Sequence, residues 1–272
     1  MAVCTLLCMR VTPNGLPPAT YAYRVQHLAH RTQLHAPDAA PAPRVPPPPT
    51  PLDYPSAGHR LRVWVATPTT PAPHPVIVYL HGGTGLSASE WEAAQTFVAS
   101  GYAVVAPTWR GENGNPGIHE LCHGEVDDAM AAVRWAAARE DLDGQRMFAF
   151  GHETGGVMAG FLAMHGELPL IATASVSALY QPKDLHKLEI PLPFVDTPQE
   201  REIRTLTPFF DQPVLPHIAY LGEQDPLVAP HADQLLDASE RGQIRINLLW
   251  LPAGHHDVLL PAMEAFLLQI GD

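Results

Sequence analysis

Basic side chains are scarce: 16 lysines and arginines stand against 28 aspartates and glutamates, leaving a formal charge of −12 over 272 residues. A chain that negative is repelled by phosphate backbones, which argues against a nucleic-acid partner. Cysteine is nearly absent. The three that occur (Cys4, Cys8 and Cys122) cannot all pair, and none stands in a C-x-x-C, which suits a reducing compartment better than a disulfide-stapled secreted fold. No apolar run reaches the length of a bilayer span. The opening Met1 to Met9 is apolar but short, lacks a basic leader, and meets Arg10 and then Pro13, which makes a poor signal peptide. These deficits predict a soluble, cytoplasmic protein without a membrane or nucleic-acid partner; they leave its oligomeric state open.

What is present is apolar: 46% of the residues are hydrophobic and only 16% charged. At this length the chain is able to bury one sizeable core, or a core with a small appendage. Proline is concentrated early. Pro37 to Pro55 contains Pro46-Pro47-Pro48-Pro49, a run that lacks backbone donors and favours an extended, left-handed helix rather than a sheet or helix interior. Residues 1–56 therefore read as a proline-rich N-terminal arm, serving either as a spacer or as a ligand for a proline-recognising module. Residues 1–36 show no clear period.

From residue 57 the pattern becomes regular. Leu61 to Ala66 alternates as a half-buried strand, and Val76 to Leu80 is a continuous apolar run, as a strand covered on both faces requires. A helical stretch around Glu90 to Ser100 stops at Gly101, and Tyr102 to Ala106 forms another buried strand. Glu125 to Glu140 places Val126, Ala129, Val133 and Trp135 or Ala136 on one face, with acidic residues at its start and Arg134 and Arg139 later, matching a helix dipole. Trp135, and Phe161 further on, read as core. Met147 to Phe150, Ile171 to Val176, His217 to Leu221 and Ile244 to Leu251 supply four more strands. Helices are expected from Gly156 to about Met164, near His231 to Arg241, and over Val258 to Ile270. This alternation predicts an α/β domain over residues 57–272, with a mostly parallel sheet and helices on both faces. Residues 178–212 interrupt it as a small cap-like excursion.

Reactive groups in such a sheet gather at the carboxyl ends of its strands. Leu80 is followed by His81-Gly82-Gly83, Phe150 by Gly151-His152-Glu153-Thr154-Gly155-Gly156, and Leu221 by Gly222-Glu223-Gln224-Asp225-Pro226. The second matches the strand-turn-helix elbow G-x-nucleophile-x-G, whose glycines permit a turn too tight for side chains. The first matches a loop that donates an amide to an oxyanion, and the Thr154 amide stands where the second donor belongs.

With Gly101-Tyr102-Ala103-Val104-Val105-Ala106-Pro107, then Arg110-Gly111, and Gly124-Glu125-Val126-Asp127-Asp128, these motifs resemble the α/β-hydrolase superfamily, in its prolyl-oligopeptidase-like and dienelactone-hydrolase-like branches. The resemblance covers about residues 57–272. It implies an α/β-hydrolase fold, a substrate or ligand that is a small ester- or peptide-like molecule, no cofactor and no metal. It places the family's acid at Asp225 and its histidine at His255, with His256 as the alternative, and puts the oxyanion loop at Gly82 and Gly83. Arg110 fits either a substrate carboxylate or the bracing of its loop, and Gln224 a turn-shaping role.

The departure lies in the elbow, where the family's serine is Glu153. A carboxylate has no proton for histidine to remove and is a far weaker nucleophile toward esters and amides. Thr154 is one residue out of register. Three readings of a Glu153–Asp225–His255 triad follow. Glu153 folds toward the amides of Thr154 and Gly83, or pairs with His255, and ordinary serine hydrolysis is lost, leaving a pseudoenzyme or ligand binder. Alternatively it attacks an ester, epoxide or halide as aspartate does in some α/β-hydrolases, although its extra methylene overshoots a site built for aspartate by roughly 1 Å. In the third it serves as a general base or acid whose pKa burial raises toward neutrality.

His119-Glu120-Leu121-Cys122-His123 spells the zinc-peptidase pattern H-E-x-x-H. That pattern works on a helix, where both histidines share a face. Here Gly114, Pro116 and Gly117 precede it, Gly124 follows it, and no third ligand stands at the expected downstream spacing. Elemental analysis of purified protein is expected to find zinc well below one equivalent and unchanged by His119→Ala. Stoichiometric zinc lost in that variant would refute the loop reading.

Overall fold

The structure, a computed structural model, describes Leu34 and residues 51–83, 85–178, 180, 192–209, 211–228, 235, 237, 240, 241 and 246–271. Most of the expected N-terminal arm, part of the excursion, and most of the helix anticipated near His231 to Arg241 lie outside these residues.

Each buried strand follows from its composition. β3 (His74–Leu80, HPVIVYL) is apolar on both faces because both are covered. Val76, Val78 and Leu80 point into one core cluster while Ile77 and Tyr79 point into the other. The remaining strands are β1 (Leu52–Ser56), β2 (His59–Ala66), β4 (Ala103–Pro107), β5 (Leu142–His152), β6 (Ala172–Val176), β7 (His217–Gly222) and β8 (Ile246–Leu251). They form one eight-stranded sheet in the order β1-β2-β4-β3-β5-β6-β7-β8. β2 runs antiparallel to both β1 and β4, and the strands from β4 to β8 are mutually parallel.

Helices cover both faces, as the alternation predicts. α1 (Ala88–Ala99) and α5 (Leu259–Ile270) pack on one, contributing Trp91, Ala94 and Phe97, and Leu259, Ala262, Met263 and Phe266. α2 (Gly124–Ala137) and α3 (Thr154–Leu162) pack on the other through residues such as Val126, Ala129, Val133, Val157 and Phe161. Trp135 packs on that second core only partly buried. A short α4 (Pro198–Glu202) lies within the excursion, capped by the Thr197 hydroxyl.

Two expectations need correction. The sheet starts at Leu52, inside the stretch assigned to the proline-rich arm, and Pro55 pairs with Arg60 in β1. An edge strand tolerates this because half of its N–H groups face away from the neighbouring strand and need no partner there. β5 is also far longer than Met147 to Phe150. Its polar start, Asp143 to Arg146, carries no apolar signal, yet Leu142 already pairs with His74 across an irregularity in register.

Phe266 is fully buried, with its ring 5.5 Å from Phe150 and 6.2 Å from Phe148, whereas Leu268 on the same helix is 77% exposed. Phe266→Ala is expected to lower unfolding stability by about 3–5 kcal/mol through lost transfer energy and a residual cavity. Leu268→Ala should change it by less than about 0.5 kcal/mol. Urea denaturation of the two variants checks the ranking, and equal losses would contradict this packing.

Candidate active site

The turn from β5 into α3 is as tight as the glycines imply. A Cβ on Gly151 would strike the carbonyl of Gly155, and one on Gly155 would strike the carbonyl of Leu80. Between them Glu153 adopts φ 47° and ψ −112°, a left-handed conformation costing a side-chain-bearing residue on the order of 1–3 kcal/mol. Two backbone bonds hold it there: the Glu153 amide donates to the Val176 carbonyl at 2.9 Å, and its own carbonyl accepts from Val157 at 3.2 Å.

The bend lifts the carboxylate to the carboxyl edge of the sheet, where three other segments converge. His255, in the loop after β8, bridges two carboxylates. Its Nε2 lies 2.9 Å from Glu153 Oε1 and its Nδ1 2.8 Å from Asp225 Oδ2. The second oxygen of Glu153, Oε2, accepts from the Gly83 amide at 3.0 Å. Asp225 is fully buried, and its Oδ1 accepts from the Leu227 amide at 2.9 Å.

Not every anticipated residue takes part in the same way. Thr154 opens α3 beside Glu153, but its amide makes no bond to that carboxylate; its carbonyl instead accepts from Cys122 Sγ at 3.7 Å. The Gly82 amide turns away toward Glu90, at 3.0 and 3.2 Å from the two carboxylate oxygens. His256 is exposed, packing edge-on against His255 with centroids 5.0 Å apart and making no bond to Glu153 or Asp225. Arg110 is tied to Asp128 at 2.8 and 2.9 Å and to Glu120 at 3.1 Å, so it braces its own loop. The H-E-x-x-H stretch is a loop in which Leu121 and Cys122 both have φ of 59°. Its His119 is set between Glu112 and Glu125, and its His123 on Glu120. Among the described residues no group of three or more His, Cys, Asp or Glu side chains is arranged to hold a metal ion.

Glu90, His152 and Ser177 escaped the sequence reading. Glu90 stands three residues after Ser87 in the S-x-x-E spacing of a helix start, which was the available signal. Nothing local marks Ser177, which approaches Asp225 only through the fold.

The electrostatics follow from this contact set. Hydrogen bonds that His255 donates to Asp225 and then to Glu153 raise its pKa to about 9, against the opposing effect of burial. The His255 bond, outweighing burial and aided by the nearby His152, lowers the pKa of Glu153. The direction is the one expected where Glu153 pairs with His255 and opposite to the rise that the general-base reading needs: burial acts toward neutrality but is overcome by a bonded imidazole. Burial pushes Asp225 up as well, yet bonds from His255 and the Leu227 amide, with the Ser177 hydroxyl nearby, bring it below its ordinary value.

A histidine with a raised pKa stabilises the fold fully below its unfolded value near 6.5 and loses that contribution as pH rises through about 9. The lowered carboxylates contribute above their unfolded values near 4 and lose the contribution on acidification. The His255 imidazole is expected to titrate near 9 by NMR and to shift downward in Glu153→Gln. A midpoint at or below about 6.5 in the native chain would contradict the bridge.

Comparison with known proteins agrees with this architecture. The model of the X-Pro dipeptidyl-peptidase (S15) family matches residues 57–187. The uncharacterized peptidase YtmA of Bacillus subtilis (strain 168) is 28% identical over 112 residues, 41% of this chain and 44% of that protein. The match thus spans less than half the length of this curated relative. A Pyrococcus furiosus esterase superposes with a TM-score of 0.63 at 16% identity, over 82% of this chain and 88% of its own. Est1E from Butyrivibrio proteoclasticus, solved with ferulic acid bound, gives 0.64 at 18% identity, over 80% and 98%. No helix among the described residues is long and apolar enough to cross a membrane. Strand order, elbow and neighbours together establish that this chain is an α/β-hydrolase-fold protein, similar over residues 57–187 to the S15 peptidases.

Proposed function

We propose that this chain is a hydrolase-like ligand-binding protein, of esterase or peptidase ancestry, in which Glu153 replaces the nucleophile and ordinary serine-hydrolase activity is absent. One observation carries the reading. A single carboxylate engages both the imidazole that would activate a nucleophile and the Gly83 amide that would receive an oxyanion. In a serine hydrolase the histidine is neutral at rest and takes the hydroxyl proton through Nε2. His255 instead favours the imidazolium, with both ring nitrogens occupied by carboxylates, so it has no lone pair for that task. Glu153 also fills the oxyanion site with a negative charge of its own, which repels a second one.

The ligand under this reading is a small ester- or peptide-like molecule. It lies over the Glu153–His255 pair. Carboxylate catalysis on an ester, epoxide or halide is the second reading. It is favoured by the intact Asp225–His255 bond at 2.8 Å, the pair needed to activate water against a glutamyl ester. Against it, both Glu153 oxygens are already engaged and the lowered pKa makes the group a weaker base and nucleophile.

Turnover of p-nitrophenyl acetate by native protein, Glu153→Ser and Glu153→Ala separates these readings. The native chain and the alanine variant are expected to match the buffer rate. The serine variant should gain at least about a hundredfold, the scale of a positioned acid–base partner. Native turnover abolished by Glu153→Ala would establish carboxylate catalysis instead. No gain in the serine variant would mean that the remaining machinery is not assembled for acyl transfer, and the proposal would fail.

A further inference from the structure

Glu90 lies outside the triad but is bonded to two of the strand ends that form the site, those of β3 and β5. Its placement begins with the helix start: the Ser87 hydroxyl accepts from the Glu90 amide at 3.2 Å and so fixes Glu90 in the first turn of α1. In a capping box the glutamate side chain would reach back to the capping residue's own amide. Here it turns inward. Its oxygens accept from the Gly82 amide at 3.0 and 3.2 Å, and Oε1 meets His152 Nδ1 at 2.6 Å. The pair is largely shielded from solvent, with Glu90 13% and His152 9% exposed in their side chains. A charge-assisted bond in such surroundings is stronger and more directional than one in water.

The geometry has a consequence for the site. Gly82 and Gly83 are consecutive, and their amides are claimed by different carboxylates, one by Glu90 and the next by Glu153. With the Gly82 amide held, the Gly83 amide is the one this loop presents to residue 153. His152 immediately precedes that residue at the end of β5. Glu90 therefore joins the donor loop after β3 to the strand that carries the elbow. The two sides are close enough that a Cβ on Gly82 would lie 2.8 Å from Glu153 Oε2. Among the described residues, His152 Nε2 is buried without a hydrogen-bond partner, and Glu90 is the one that bonds this ring.

We infer that Glu90, through its joint hold on the Gly82 amide and His152, is a positioning residue that sets the Gly83 donor against the side chain at position 153. The inference rests on the hydrolase-like reading of the pocket, but its first test does not depend on that reading. No chemistry is assigned to Glu90 itself. Its effect is exerted through backbone geometry, where a displacement of about 1 Å is enough to cost on the order of a hundredfold in rate.

Two measurements test it. In the native background, amide hydrogen exchange followed by NMR should show Gly82 and Gly83 exchanging at least about tenfold faster in Glu90→Ala, because a buried donor has lost its acceptor. Glu90→Gln, whose amide oxygen still accepts from Gly82, should stay within about threefold of native. In the Glu153→Ser background, Glu90→Ala should lower kcat on p-nitrophenyl acetate at least about tenfold with KM within about twofold, and Glu90→Gln should restore most of it. Unchanged Gly82 exchange in Glu90→Ala would overturn the inference, as would an unchanged kcat in an active serine background. If Glu153→Ser is inactive, the functional reading fails while the exchange data still decide the role of Glu90. Should Glu90→Ala not fold, His152→Phe gives the same two readouts: faster Gly83 exchange or a kcat loss supports the link, and neither overturns it.

Discussion

An imidazole suspended between two carboxylates is the interaction on which the reading of this molecule depends. His255 lies 2.8 Å from one and 2.9 Å from the other, and it ties loops from three strand ends into one cluster. Such a bridge stabilises charge on all three groups at once. The cation relieves the cost of two neighbouring anions, and the anions hold the proton on the ring. The strained bend at residue 153 is what brings the second anion into reach. A serine at the same φ and ψ would leave His255 with one carboxylate and a hydroxyl, the arrangement from which acyl transfer starts. One side chain thus changes the resting charge of the centre.

The contrast with His217 shows that burial alone does not decide a histidine's state. His217 is fully enclosed at the start of β7, where its ring nitrogens meet the hydroxyls of Thr173 at 2.7 Å and Ser175 at 3.0 Å. With no carboxylate beside it, burial lowers its pKa to about 3 and it stays neutral. His119, whose side chain is 26% exposed, shows the opposite outcome, since Glu125 and Glu112 overcome its burial and raise it. The carboxylates of the H-E-x-x-H loop and its surroundings thereby become structural. Glu125 accepts from the amides of Glu120 and His123, and Arg204 donates to the Glu120 carbonyl at 2.7 Å. Together they fasten this stretch beside the elbow.

Much of the architecture was legible because the parallel strands are covered on both faces and their apolar runs are unbroken. β3, β4 and β7 could be read almost to the residue. β1 and the first half of β5 could not. An edge strand bearing proline and a strand entry rich in polar residues lack that signal, and only pairing partners distant in sequence identify them. The elbow was legible for a steric reason: Gly151 and Gly155 each face a backbone carbonyl too near for a Cβ. Glu90 was not, because its acceptor role appears only when α1 folds back over the loop after β3.

By itself, then, the sequence determined the alternating order of elements and the identity of the side chain on the bend, since both are recorded in local spacing and glycine placement. Tertiary structure alone decided which histidine faces residue 153, which amide reaches its carboxylate, and in which direction its proton affinity moves. Those outcomes depend on distances between strand ends far apart in the chain, and on whether a hydrogen-bonded charge outweighs burial. Neither quantity is encoded in any short stretch of residues.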